Sequence, residues 1–387
     1  MQKRVVQNVR EYYKLPEKVD YCRKCVVSNQ RPRIEFDEHG ICNACNYAYK
    51  KQHVIDWLDR EEQLKHLLNE YRSKQGHYDV VVAGSGGKDS ATVVHRLKYH
   101  YNMHPLIVTW APHIYTEVGW NNLQSLIRSG FDNILGTPNG RVHRILTRLA
   151  FELLGDPFQP FIYGQYTFPF RIAAKFRIPL VFYGENGEAE YGGSTKNENK
   201  PGQPLEDFKD FYYSGLPPEA FSEYGLSEDD LQLYRMLPLD ELKTLGVQPR
   251  WFSYYQKWVP QENYYYATEH CGFQANPDGR SEGTYSKYAS LDDRLDGFHY
   301  YMAFIKFGIG RTTSDAAHEI RDGHLTREEG VALVRRYDGE FPAKYFREFL
   351  EYTELTEERF WEVVNSFRSP HLWEKNSGEW KLKWQVE

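Results

Sequence analysis

The stretch VVVAGSGGKDSATVV, from Val80 to Val94, sets the tightest limit on how this chain can fold. Apolar residues lead into Gly84-Ser85-Gly86-Gly87, and Lys88-Asp89-Ser90 open a run with helical spacing. A strand feeding a glycine turn and a helix start aims backbone N–H groups and the helix dipole at one spot, which makes an anion site. Two familiar loops fail on spacing. A Walker loop needs Gly-x4-Gly-Lys-Ser/Thr, but Lys88 is followed by Asp89 and the position five before Gly87 is Val82. A dinucleotide loop needs a third glycine where Asp89 stands.

Further segments continue a sheet from this loop. PLIVTW (105–110), DNILGT (132–137) and the start of IPLVFYGENGEAEYGGS (178–194) read as strands, and VHRILTRLAFELL as a helix. Strands alternating with helical patterns predict a doubly wound parallel α/β sheet, with ligands at the carboxyl ends of its strands. Three such ends gather Ser85 to Ser90, Trp110 and Glu185 around one crevice. Glu185, Glu188 and Glu190 are candidates for holding a magnesium ion or handling a nucleophile, and each taken singly also reads as a solvated loop charge.

The formal net charge of -6 argues against nucleic acid as the main partner. Aromatic residues reach 16%, which suits sugar or nucleotide surfaces and equally suits packing. No apolar run is long enough to span a bilayer, and the first ten residues lack the apolar stretch of a secretory signal. The expected location is the cytoplasm, with no membrane partner. Disulfides are not expected there, so the cysteines need another reading. Cys22, Cys25, Cys42 and Cys45 form two Cys-x2-Cys pairs separated by sixteen residues. Each pair places two thiolates on one tight turn, and together they supply the tetrahedral set that structural zinc prefers. Free thiols or a redox pair are the competing reading. The intervening RPRIEFDEHG reads as a short hairpin. Val54 to Tyr71 reads as an amphipathic helix with Ile55, Leu58, Leu64, Leu67 and Leu68 on one face.

Ser85-Gly86-Gly87-Lys88-Asp89-Ser90 resembles the SGGxDS loop of the PP-loop, or N-type, ATP pyrophosphatases. The likeness implies cleavage of ATP between its α and β phosphates, transfer of AMP to an oxygen, and displacement of AMP by a nitrogen or sulfur nucleophile. It implies nucleotide contacts from Ala83, Gly84, Ser85, Gly86, Gly87, Lys88, Asp89 and Ser90, with Trp110 and Gly184, and a magnesium ion on Asp89. A zinc pair joined to such a loop is similar to the N-acetyl sugar amidotransferases of surface-polysaccharide biosynthesis. The likeness covers roughly residues 20 to 345, through YCRKCVVSNQRPRIEFDEHGICNAC, GSGGKDS, YGENGEAEYGG, EGTYSKYASLDDRLDGFHYYMAFIKFGIGRTTSDAAHEIRDGHLTREE and VRRYDGEFP. It implies conversion of an acetamido group to an acetamidino group on a pseudaminic acid precursor or a diacetamido-uronic acid of O-antigen, a step of lipopolysaccharide biosynthesis. Catalytic roles then fall to Lys88, Asp89, Glu185, Lys306 and Arg311. Contacts to the sugar fall to Glu185, Asn186, Tyr285, Lys287, Tyr288 and Arg311. Either Lys306 or Arg311 also reads as an ordinary surface charge.

Ammonia needs a source. Cys271, in TEHCGFQ, resembles no glutaminase nucleophile, so the likeness implies a separate glutaminase of the histidine-pathway kind, with a cyclase-like barrel protein beside it. The expected organisation is a zinc-knuckle module with a connecting helix (1–75), a PP-loop α/β domain (76–200) and a mostly helical substrate-binding region (201–387). Gly192 to Asp207 reads as a mobile connection or lid. TREEGVALVRRY reads as a helix capped at Thr326. Two other functions are compatible with parts of the pattern: a tRNA-thiolating PP-loop enzyme, and a non-enzymatic zinc-dependent assembly subunit with a dead nucleotide site.

Overall fold

A computed structural model describes residues 5–387. Its centre is a five-stranded, all-parallel sheet in the order β3-β2-β1-β4-β5, formed by β1 (Val80–Ala83), β2 (Pro105–Trp110), β3 (Asp132–Gly136), β4 (Leu180–Tyr183) and β5 (Gln248–Trp251). Along the chain run helices α1 (Asn43–His53), α2 (Trp57–Tyr71), α3 (Lys88–His95), α4 (Glu117–Arg128), α5 (Gly140–Leu154), α6 (Gln159–Phe176), α7 (Gly187–Tyr191), α8 (Pro260–Cys271), α9 (Asp296–Phe307), α10 (Arg311–Arg321) and α11 (Arg327–Tyr337). Among the described residues no helix is long and apolar enough to cross a membrane.

The central strands β1, β2 and β4 are continuous apolar runs because both faces of the sheet are covered. Successive side chains point to opposite faces. Val80, Val82, Ile107, Leu180 and Phe182 enter a core with α2, α3 and α8. Val81, Leu106, Val108, Val181 and Tyr183 enter a second core with Phe170 and Ala173 of α6. This is the doubly wound arrangement expected. The strand order reverses between β1 and β4, so the crevice lies where those two strands end.

Four expectations need correction. A boundary at residue 200 cuts the sheet, because β5 pairs with β4 and α8 lies in the α3 layer. The edge strand Gln-Pro-Arg-Trp carries no apolar run, and its proline is tolerated because it lies at an edge. The Gly192 to Asp207 stretch is fastened down rather than free. The Gly192 carbonyl accepts from Arg31, the Gly193 carbonyl from Asn43 Nδ2 at 2.6 Å, and Glu198 pairs with Lys50 at 2.5 Å. Further on, the Pro201 carbonyl accepts from Trp251 N at 2.9 Å, which covers the sheet edge. The helix expected from Val54 starts at Trp57, capped by Asp56, and it buries Leu64 and Leu68 while Leu58 stands exposed. The hairpin between the cysteine pairs is a single bridge, Phe36 to Cys42, closed by a turn at Asp37–Gly40. The capping box at Thr326 and Glu329 opens α11 as expected.

A large aromatic core joins α5 to the C-terminal helices through Phe151, Phe298, Phe349 and Phe360, with Val6 and Val9 from the N-terminal segment. The cysteine module packs its own apolar side on Ile309, Ala316 and Ala317. These two packings bring segments distant in sequence up to the mouth of the crevice.

Candidate active site

The glycine loop is shaped by contacts on both sides. Gly84 N continues the ladder to the Val108 carbonyl at 3.1 Å, and Thr109 Oγ1 donates to the Gly84 carbonyl at 2.6 Å. Gly86 sits at φ +90°, and the Leu123 backbone lies 2.6 Å from where its Cβ would stand. Only glycine fits there, and its role is to turn the chain against α4 rather than to line the hollow. Gly87 caps α3 without a side-chain hydrogen bond. The N–H groups of the first turn therefore have no partner within the helix and are available to a ligand.

Three adjoining hollows share Asp89 on their walls. The first, about 260 Å³, is lined by Ala83, Gly84, Ser85, Gly87, Asp89, Ser90, Trp110, Gly184 and Glu185, with Tyr166 and Tyr183. The second, about 480 Å³, extends over Ser85 and Asp89 to Asp292, Asp296, His299, Tyr300 and Arg311. The third, about 510 Å³, brings Lys88, Asp89 and Glu185 together with Lys306 and Arg311, and adds Arg31, Arg33 and Asp156. The chain thus places the glycine loop, the end of β4 and the cations of FIKFGIGRTT around one space.

Asp89 Oδ1 accepts from Asn263 Nδ2 at 2.9 Å, and Oδ2 accepts from Lys88 Nζ. Lys88 lies over the Tyr288 ring, 5.3 Å from its centre. Burial and the charge of Asp89 push the Glu185 carboxyl up to about 7, against the pull of Lys88. Burial, with Asp296 and Asp293 nearby, pushes Asp292 up to about 6. Arg311 Nε pairs with Asp315 at 3.0 Å, and its Nη1 donates to Tyr300. Lys306 Nζ donates to the Leu154 carbonyl at 3.2 Å, and its burial holds the amine below its usual range.

Of the other expected residues only Glu188 lines these hollows, in the third. Asn186 caps α7, accepting from Glu188 N and Ala189 N, and is buried. Tyr285 and Tyr288 both donate to Glu319, at 2.8 and 3.0 Å, so Tyr288 supports Lys88 from behind while Tyr285 packs beside the cysteine module. Lys287 is exposed over the Tyr264 ring. Glu188 pairs with Arg33, and Glu190 is a buried partner of Lys51 at 2.7 Å and His318 at 3.3 Å, so neither is free to hold a cation. Cys271 is 3% exposed, its thiol pushed up to about 12 by burial.

The cysteines fit zinc. Their four sulfurs lie within 4.8 Å of one another, with Cys22 to Cys45 at 3.8 Å and Cys25 to Cys42 at 3.7 Å. A tetrahedron with Zn–S bonds of about 2.3 Å has edges of about 3.8 Å. Backbone N–H groups of Lys24, Cys25 and Cys42 point at Cys22 Sγ, at 3.3 to 3.5 Å, as a thiolate requires.

Residues 282–386 match the family described as LPS biosynthesis protein WbpG-like, C-terminal domain. This segment is similar to that domain. It carries Asp292, Asp296, His299, Tyr300, Lys306 and Arg311, and so supplies one wall of the cleft. No curated protein matches the chain. Among solved structures, NMN synthetase from Francisella tularensis aligns over 58% of this chain and 89% of its own, at 13% identity and a TM-score of 0.29. That likeness is loose, and the fold assignment rests on the sheet itself.

Sequence reasoning missed Arg31, Arg33 and Asp156; it reads the aromatic block Glu282 to Tyr301 as a wall of the sugar site, without singling out Asp292, Asp296, His299 or Tyr300 within it. For part of the WbpG-like segment a signal existed. Asp296, His299, Tyr300, Ala303 and Phe307 recur at helical spacing and form the cleft-facing stripe of α9.

Proposed function

We propose that this protein is an ATP-dependent amidotransferase that turns the acetamido group of a surface-polysaccharide sugar into an acetamidino group. The observation that carries this reading is the meeting of the glycine loop, Glu185 and the WbpG-like cations around Asp89. An amide carbon is a poor electrophile, and its oxygen is a poor leaving group. Transfer of AMP to that oxygen releases pyrophosphate and leaves an imidate-like ester. Ammonia adds to its carbon, a proton leaves the new nitrogen, and AMP departs with the former amide oxygen.

The chain's own groups match these needs. The first-turn N–H groups of α3 and the Ser85 and Ser90 hydroxyls hold phosphate oxygens. Lys88 and Arg311 offset the charge that builds on the departing pyrophosphate. The second and third hollows hold the sugar with its amide oxygen in line with the α-phosphate. Asp89 and Glu185 would hold a magnesium ion: both carboxylates line the first hollow beside the glycine loop, and carboxylate oxygens are the ligands that ion takes. When bound, that ion offsets phosphate charge beside Asp89. Cys271 has neither the exposure nor the thiolate character for glutamine hydrolysis or persulfide transfer, so ammonia comes from a partner glutaminase and tRNA thiolation is disfavoured.

The purified chain, given ATP, magnesium and acetamido sugars, is expected to form AMP and pyrophosphate with ammonium as nitrogen source. With glutamine it is expected to react only after a glutaminase is added. ADP and orthophosphate as products, or turnover with tRNA in place of sugar, would overturn the reading.

A further inference from the structure

The third hollow is lined by five lysine and arginine side chains, Arg31, Arg33, Lys88, Lys306 and Arg311. Four of them are engaged. Arg33 makes a two-point pair with Glu188, at 3.0 and 2.5 Å. Lys88 pairs with Asp89, Arg311 with Asp315, and Lys306 donates to the Leu154 carbonyl near Asp156. Arg31 differs. Among the described residues its guanidinium makes one hydrogen bond, from Nε to the Gly192 carbonyl, and no ion pair. Among the described residues its two terminal nitrogens have no acceptor. Burial, offset only in part by Glu188, holds it below its ordinary range. A half-buried guanidinium in a cavity wall, with its terminal nitrogens uncommitted, is placed to take an anion.

The backbone around it is built for this placement. Arg31 N bonds back to the Ser28 carbonyl and Ile34 N to the Arg31 carbonyl, so two turns follow each other. Between them Arg33 sits at φ +66°, a left-handed conformation that a long side chain adopts at a cost. Gly192 holds the other side at φ +87°, where a Cβ would stand 2.9 Å from Ile34. The module is tied to α7 through Lys51 and Glu190, and to α10 through the Arg321 carbonyl, which accepts from Gln52 Nε2 at 2.8 Å. The loop between the cysteine pairs is therefore part of the cleft wall, not only a brace beneath it.

We propose that Arg31, carried into the cleft by the cysteine module, receives an anionic group of the acceptor, a carboxylate or a phosphate, and so selects charged acceptors over neutral ones. The planar fork of an arginine suits both groups. This rests on the reading that the cleft takes an acceptor beside ATP.

Calorimetry on the zinc-loaded full chain, with magnesium and a non-hydrolysable ATP analogue filling the nucleotide hollow, tests it. The probes are N-acetylglucosamine, its uronic acid and its UDP conjugate. At least one charged probe is expected to bind about tenfold or more tighter than the neutral sugar, as a charge-assisted pair should. The uronic acid winning places a carboxylate on Arg31, and the UDP sugar winning places a phosphate there. Arg31→Ala should abolish the preference and Arg31→Lys should keep part of it, with zinc content unchanged in both. If Arg31→Ala does not fold, a preference undiminished in Arg31→Gln decides against the proposal instead. No preference in the wild type, or one that survives loss of Arg31, overturns it. If no sugar supports AMP formation while the Arg31-dependent preference holds, the proposed reaction fails and the anion seat stands.

Discussion

The two walls of the cleft are built in opposite ways. One is a single stretch of chain, Ala83 to Ser90, whose shape follows from its own glycines and from the helix it opens. The other is assembled from Arg31 and Arg33, Asp156, and the stretch Asp292 to Arg311, three parts of the chain that lie far apart in sequence. The contiguous wall is fixed by local geometry. The assembled wall exists only while three remote packings hold: the cysteine module on α10, the aromatic core on α5, and the buried charges around Glu190. Damage to the first should therefore stop chemistry in a folded protein. Damage to the second should alter the fold and acceptor handling together.

The largest effect is expected at the cysteines. In zinc-finger peptides structural zinc contributes roughly 10–16 kcal/mol, as much as the roughly 5–15 kcal/mol that holds a whole domain folded. Cys42→Ser should lose bound zinc, by metal analysis, and melt well below the wild type. Whatever folded protein remains should also lose charge-selective acceptor binding, because Arg31 is no longer held. A zinc-free variant with wild-type melting and wild-type acceptor preference would erase the distinction between the walls.

Asp89→Asn comes next. It removes one negative charge at the point that all three hollows share and keeps a side chain that Asn263 can still meet. AMP formation should fall about 100-fold or more, as when a charge-stabilising group is removed from other active sites. Melting should shift by about 1 kcal/mol or less, since the side chain is near isosteric and partly exposed. A large loss of stability would mean that Asp89 is a structural anchor and that the contiguous wall is less self-sufficient than its geometry implies.

The same contrast decides what could be read from sequence. Strands β1, β2 and β4 were legible because both faces are buried and their apolar runs are unbroken; β3, at one edge, showed only through Ile134 and Leu135, and β5, at the other, hides behind a proline and alternating burial. The glycine loop was legible because its residues carry their own geometry. The zinc set was legible because two short spacings already converge the thiolates. Arg31 and Asp156 were not, since nothing near either residue in sequence reveals the surface it will meet. Glu190 misled for a related reason. It follows a strand end as a site carboxylate should, yet Lys51 and His318 arrive from remote segments and take it into the core.

The smallest expected effect tests that buried cluster by pH. His318, 3% exposed, faces Glu190 of α7 at 3.3 Å, and Asp322 just beyond α10 at 3.0 Å. Burial alone would push its imidazole down, but hydrogen bonding to Asp322 and Glu190 outweighs burial and holds it above its ordinary value. A histidine raised in the folded state binds a proton that the unfolded chain gives up near pH 6.5. Its contribution is complete below that point and is lost as pH rises through the higher folded value. Lys51 and Arg321 are the other cations facing the cluster, and Lys51 still pairs with Glu190 when His318 is neutral. That limits the loss to about 1 kcal/mol, roughly 2 °C in a chain of this size. Melting midpoints of wild type and His318→Gln, measured in parallel from about pH 5.5 to 8.5, should therefore converge as pH rises, with titrations elsewhere cancelling in the difference. A gap that stays constant across the range would show that His318 is neutral throughout and holds the module by packing alone. A gap that widens at high pH would reverse the sign of the linkage and remove charge from the account of how the assembled wall is held.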